Sequence, residues 1–386
     1  MNASSGSKSG ISNTSGGRRR LLAGAGGAAL ALALILPSAA LARDYTAGTE
    51  AELRQATLDA NADGDPTSTI TLTGNIAIAA SLPNSTKPLV INTGAFSTNG
   101  LALTGTVTVI GAVNGNDDML TGSGQTGLRL ITFGGLPTTV TNNATVTGGD
   151  GTNNSTDGLG AEIQHNGNLI NNGSITGGSS GGPGSLNGGF GLQMTGTASV
   201  VNNGLIQGGT GIGVTGGRGA FVGVNPSAVQ TFTNNATGVV RGGEGTGGAL
   251  GGVGIYVNLM RTPIINLGLI EGGNGAAAIV SRPETNIINS GIIRAGAGGT
   301  VAIDATLSPL TVIELRAGTS ITGLVLANAG GAFAQTLQLG GTGNASFDMS
   351  SVGATAQYRN FNRFVKAGTS SWTLTGNAST MPGSAW

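Results

Sequence analysis

Side chains able to do acid–base or nucleophilic work are sparse in this chain. His165 is the sole histidine. Its setting, Gln164-His165-Asn166-Gly167, reads as a solvated turn between strands rather than a seat for a general base. Gly177-Gly-Ser-Ser-Gly181 matches G-x-S-x-G in letters, but it lacks the strand-to-helix elbow that exposes a nucleophilic serine. Cysteine is absent, which removes thiol catalysis, thiolate metal ligation and disulfides together. Among the acids, Asp117 and Asp118 in Asn114-Gly-Asn-Asp-Asp118 form the best grouping of hard oxygen ligands and leave calcium open as a weak ligand. Asp150, Asp157 and Glu162 come next, yet Asp and Asn are also ordinary turn residues. Hydrolysis of a glycoside needs two carboxyls roughly 5 to 9.5 Å apart. Spacing along a chain does not supply that distance, so no residue is assigned as catalytic, cofactor-binding or metal-binding.

Asparagine, by contrast, recurs at a fixed place. Six segments align: Val140–Gly149, Leu169–Gly178, Val200–Gly209, Phe232–Gly243, Ile264–Gly273 and Ile287–Gly296. Their common column is Asn142, Asn171, Asn202, Asn234, Asn266 and Asn289. Successive spacings of 29, 31, 32, 32 and 23 residues suit coils whose loops differ in length. Read with period two, Val140, Asn142, Ala144 and Val146 face inward while Thr141, Asn143, Thr145 and Thr147 face out. An inward amide in every coil can donate to the same amide in the next, and without that ladder each would cost roughly 1 to 3 kcal/mol. Stacking in register also puts Arg241, Glu271 and Arg294 one above another as an outward column of alternating charge. A second short strand precedes each segment, at Phe190–Met194, Gly254–Val257, Ala278–Val280 and Val301–Ile303.

Elements that would carry this repeat are legible on either side of it. The chain opens with Arg18-Arg19-Arg20, an apolar run from Leu21 to Leu36 and Ala40-Leu41-Ala42, the three parts of a secretory signal peptide cut after Ala42. The triple arginine also resembles a twin-arginine signal, so the export route stays open. Thr49-Glu-Ala-Glu52 has capping-box spacing, and Leu53, Ala56, Thr57 and Ala60 then share one helical face. Thr69–Thr73 reads as the first strand. Glycine is 73 of 386 residues and charged residues are 9%, too little charge for an ordinary disordered chain. Beyond the leader, thirteen basic residues face seventeen acidic ones, a net charge of −4 with no basic block, which argues against nucleic acid or anionic lipid as the main partner.

The order of helix, polar turn and alternating strand resembles the N-terminal cap of pectin-lyase-like β-helices. The run Phe361–Gly376, through Phe364, Lys366, Gly368, Trp372, Leu374 and Gly376, resembles the repeat near the end of autotransporter passenger domains. The expected fold is therefore all-β, a right-handed parallel β-helix (solenoid) with a short N-terminal capping helix. The expected organisation is signal peptide 1–42, cap 43–66, parallel β-helix 67–335 and a C-terminal passenger-associated region 336–386. The resemblance implies a secreted or surface-exposed stalk for attachment or aggregation, with surface glycans, proteins or further copies of itself as partners. The alternative is a polysaccharide-active, pectate-lyase-like enzyme. Autotransporters end in a membrane barrel. None follows before Trp386, so outer-membrane association is expected only through a barrel on another chain or further downstream, and a periplasmic location if the frame is truncated.

Overall fold

The computed structural model describes residues 43–115, 124–132, 137–151, 158–164, 166–180, 187–223, 231–258, 263–330 and 333–377. Alternation of apolar and polar residues along short segments drives the architecture, because each strand buries one face and hydrogen-bonds to the equivalent strand one coil away. Among the described residues the strands gather into a nineteen-stranded sheet, a ten-stranded sheet and two two-stranded ones, and all their pairings are parallel. The chain is an all-β parallel β-helix, with one short α-helix among the described residues.

Each middle coil contributes two strands to the larger sheet and one to the smaller. Gly167–Asn171 and Ser174–Thr176, for example, both pair with the longer Thr138–Thr147, and Ala161–Ile163 pairs with Leu192–Met194. Inward positions fill the core: Val140, Ala144, Val146, Leu169, Ile175, Val200 and Ile206 are all buried. Parallel in-register stacking repeats that inward face without interruption from coil to coil.

Helix formation at Glu50–Ala62 follows from its ends and its stripe. Thr49 caps it: its hydroxyl accepts from the Glu52 amide, and the Glu52 carboxylate accepts from the Thr49 amide. Leu53, Ala56, Thr57 and Ala60 are buried. One element departs from the sequence reading. Arg43–Ala47 is a strand, paired in parallel with Ser68–Leu72, so the segment 43–66 begins with a coil of the solenoid before the helix. At the other end, Gln335–Leu339 straddles the expected boundary at 335/336 and pairs with both Thr311–Leu315 and Arg363–Lys366, so the sheet continues across it.

Glycine doublets build a second, purely backbone seam. The Gly158 N–H donates to the Gly149 carbonyl, Gly178 to Gly158, Gly189 to Gly178, Gly209 to Gly189 and Gly217 to Gly209. The alternation runs on through Gly243, Gly252 and Gly273, at 2.7 to 2.8 Å throughout. It threads the glycines that close the first five Asn segments and those that precede four strands of the smaller sheet, Ala161–Ile163, Leu192–Met194, Ala220–Val222 and Ile255–Val257. A Cβ on Gly209 would lie 1.8 Å from the Gly178 carbonyl oxygen, and one on Gly243 would lie 1.9 Å from that of Gly209. Only glycine permits so close an approach.

Candidate functional site

The six repeated asparagines are fully buried and stand in register from coil to coil. Asn142 Nδ2 donates to Asn171 Oδ1 at 2.8 Å, and the same bond links Asn171 to Asn202, Asn202 to Asn234, Asn234 to Asn266 and Asn266 to Asn289 at 2.7 to 2.9 Å. Each Nδ2 also reaches a backbone carbonyl, such as Ala144, Leu205 or Gly291. The ends close as well. Asn142 Oδ1 accepts from the Ala144 amide, and Asn289 Nδ2 donates to the Thr319 hydroxyl at 2.5 Å. Every amide in the column is thus paired in the core.

A second ladder lies outside the first. Asn172 Nδ2 donates to Asn143 Oδ1, Asn203 to Asn172 and Asn235 to Asn203, at 2.6 to 2.9 Å. It donates toward the N-terminus, whereas the buried ladder donates toward the C-terminus. The Asn-Asn doublets carried this signal, but alternation assigned only their first members a role.

Arg241, Glu271 and Arg294 are Cα partners in adjacent strands. Glu271 accepts from Arg241 Nε at 2.9 Å and from Arg294 Nε at 2.7 Å. Burial works to raise the Glu271 pKa, but hydrogen bonds and charge from the two arginines outweigh it and hold the carboxyl below its usual value. Of the other residues singled out from sequence, Ala40, Ala42, Asp117, Asp118, Asp157 and His165 lie outside the described residues. Asp150 accepts from the Ser179 amide at 2.6 Å, which ties the G-x-S-x-G serine into a glycine corner. Glu162 is ion-paired with Arg129 at 2.8 Å.

The richest chemistry on the surface was not read from the sequence. On the solvent side of the smaller sheet, Arg129, Glu162, Gln193, Phe221 and Tyr256 form one outward column, each the Cα partner of the next. Phe190 joins it from the corner before its strand. Its ring stacks on Phe221 with centroids 5.5 Å apart, and Phe221 stacks on Tyr256 at 5.8 Å, with interplanar angles of 22° and 8°. The Arg218 guanidinium lies 5.0, 5.1 and 4.0 Å from the centroids of Phe190, Phe221 and Tyr256, and Arg282 lies 5.6 Å from Tyr256. Burial pushes the Arg218 pKa down, Tyr256 opposes that and Arg282 adds to it. Beside Phe190 a cleft of about 470 Å³ includes Gln193, Glu162, Arg129 and Asn187 in its lining. The signal lay in register: Phe221 and Tyr256 align only once Ala220–Val222 is recognised as a coil strand, and that strand was not among those read.

Chemically, the flank offers aromatic rings, two guanidinium groups and planar amides. Comparison with protein-family models, with curated proteins and with solved structures finds no match to this chain.

Proposed function

We propose that this chain is an exported, passenger-like β-helix of the autotransporter type that serves as an attachment or aggregation stalk at or beyond the cell surface. The solvent face carries this reading. Three of its carboxylates are engaged by arginines from the same or an adjacent coil: Glu162 by Arg129, Glu271 by Arg241 and Arg294, Glu314 by Arg316. These carboxylates meet guanidinium groups instead of one another, which suits a repeated binding surface better than an acid–base pair. The residues behind the resemblance add support. Phe364 is buried, Trp372 packs on the core and donates from Nε1 to the Gly340 carbonyl at 3.3 Å, and Gly368 and Gly376 take φ of +66° and +76°.

Expression of the full chain in a Gram-negative host tests the proposal. The product recovered outside the cytoplasm should begin at Arg43, and beads coated with it should clump or adhere to a cell or polysaccharide layer. Retention as an uncleaved cytoplasmic protein, or beads that neither clump nor adhere, would overturn it. Release of reducing or unsaturated ends from a glycan panel would favour the polysaccharide-active enzyme.

A further inference from the structure

We propose that the flank formed by Phe190, Phe221, Tyr256, Arg218 and Arg282 binds a linear acidic polysaccharide laid along the solenoid axis. This rests on the reading of the chain as an exported attachment stalk and gives that stalk a ligand class.

Charge sets the preference for an anion. The three rings stack on one another from coil to coil, and the Arg218 guanidinium lies over them. Arg218, half-buried against the rings, and the exposed Arg282 add two full positive charges, and neither forms an ion pair among the described residues. Unneutralised guanidinium groups with several N–H donors suit the carboxylates or sulfates of an acidic sugar.

The surroundings narrow the partner to a glycan. A peptide adding as a strand needs a free sheet edge. Here Ala220–Val222 is paired on both sides, with Leu192–Met194 and Ile255–Val257, so no backbone row is open. Single-stranded nucleic acid is held by bases stacking on open ring faces, whereas Phe221 is stacked on both sides and Phe190 and Tyr256 each carry a ring and an arginine. Continuity favours a polymer. The column repeats once per coil, at about 4.8 Å, a step near the length of one pyranose unit, and it leads into the cleft where Gln193 and Asn187 present amides suited to sugar hydroxyls.

Affinity electrophoresis of the full-chain protein through gels containing alginate, neutral dextran or single-stranded DNA tests this. Alginate should retard the protein and dextran should not. Retardation should fade between about 0.1 M and about 1 M salt, as charge screening requires. Arg282→Gln, at an exposed site that does not threaten folding, should weaken alginate binding about tenfold, and Arg218→Gln should weaken it further. Arg294→Gln, on the larger sheet, should leave it unchanged, with circular dichroism melts confirming that each variant folds. Equal alginate binding by Arg282→Gln and the parent, or DNA binding as tight as alginate binding, would overturn the proposal. Absence of alginate binding alongside intact bead attachment would remove this ligand and leave the stalk standing.

Discussion

Between Asn142 and Gly299 the coils are locked by polar groups turned inward, while between Thr311 and Lys366 the same coil geometry is held mainly by apolar packing. The column position filled by Asn289 passes to Leu315 and then Leu339 in register. The glycine seam has no counterpart beside those strands, and an aromatic cluster of Phe347, Tyr358, Phe361 and Phe364 joins the core instead. All six ladder amides are paired, whereas the buried polar groups outside the column that lack a hydrogen-bond partner among the described residues fall in both regions, Ser281 Oγ in the first and Thr311 Oγ1 and Gln335 Oε1 in the second. A polar lock works only as a complete series, because each group satisfies the next. In an apolar core the loss is local to the side chain removed and the cavity it leaves.

The sharpest way to break that contrast is to add one methyl group to the seam. Gly209→Ala puts its Cβ against a backbone oxygen that cannot swing aside, and the expected loss is about 4 kcal/mol, beyond ordinary overpacking. Gly330→Ala in the apolar half meets only Asn328 Oδ1, at 3.9 Å, and should be neutral within about 0.5 kcal/mol. Urea denaturation followed by circular dichroism reads both, and equal midpoints would remove the seam as a structural lock.

Next in size comes the ladder. Asn202→Val takes one partner from Asn171 Nδ2 on one side and from Asn234 Oδ1 on the other, so about 3 kcal/mol should be lost. Asn142→Val, at the end of the column beside Val109, leaves one neighbour short and should cost about half as much, roughly 1.5 kcal/mol. Because solenoid coils couple mainly to their neighbours, hydrogen exchange should show the damage of Asn202→Val centred on the coils of Asn171 and Asn234 while Thr311–Leu315 keeps its protection. A uniform loss across the chain would mean that the two halves are one cooperative unit.

Much of this architecture was legible in the residues. The Asn column could be read because its alternation and its segment length are both periodic, and the capped helix because Thr49, Glu52 and the buried stripe agree. Glycine doublets were visible as repeats, but their seam was not, since it joins two different glycine columns across successive coils and no local pattern records that pairing. Arg43–Ala47 escaped notice for a related reason: only Ala47 is buried, so its alternation is too faint to announce a strand. The candidate binding flank was hidden by distance. Phe190, Phe221 and Tyr256 are 31 and 35 residues apart with unequal loops between them, and Phe190 precedes its strand. Stacking, not sequence proximity, makes them one surface.

The smallest expected effect separates the buried lock from the surface charge column that runs beside it. Glu271 has a pKa depressed from 4.5 by its two arginines, so the folded chain holds fewer protons than the unfolded chain near that pH. The stabilisation is therefore fully present above the unfolded value and is lost as pH falls through the lower folded one. Glu271→Gln should cost less than about 1 kcal/mol at neutral pH, the usual scale of a solvent-facing ion pair. It should also flatten the fall in urea midpoint as pH drops below 4.5, whereas Asn202→Val should lower the midpoint by the same amount at every pH, because an amide does not titrate. If Glu271→Gln and the parent keep the same pH dependence, the column is a set of neighbours without linkage, and the middle coils owe their stability to the ladder and the seam alone.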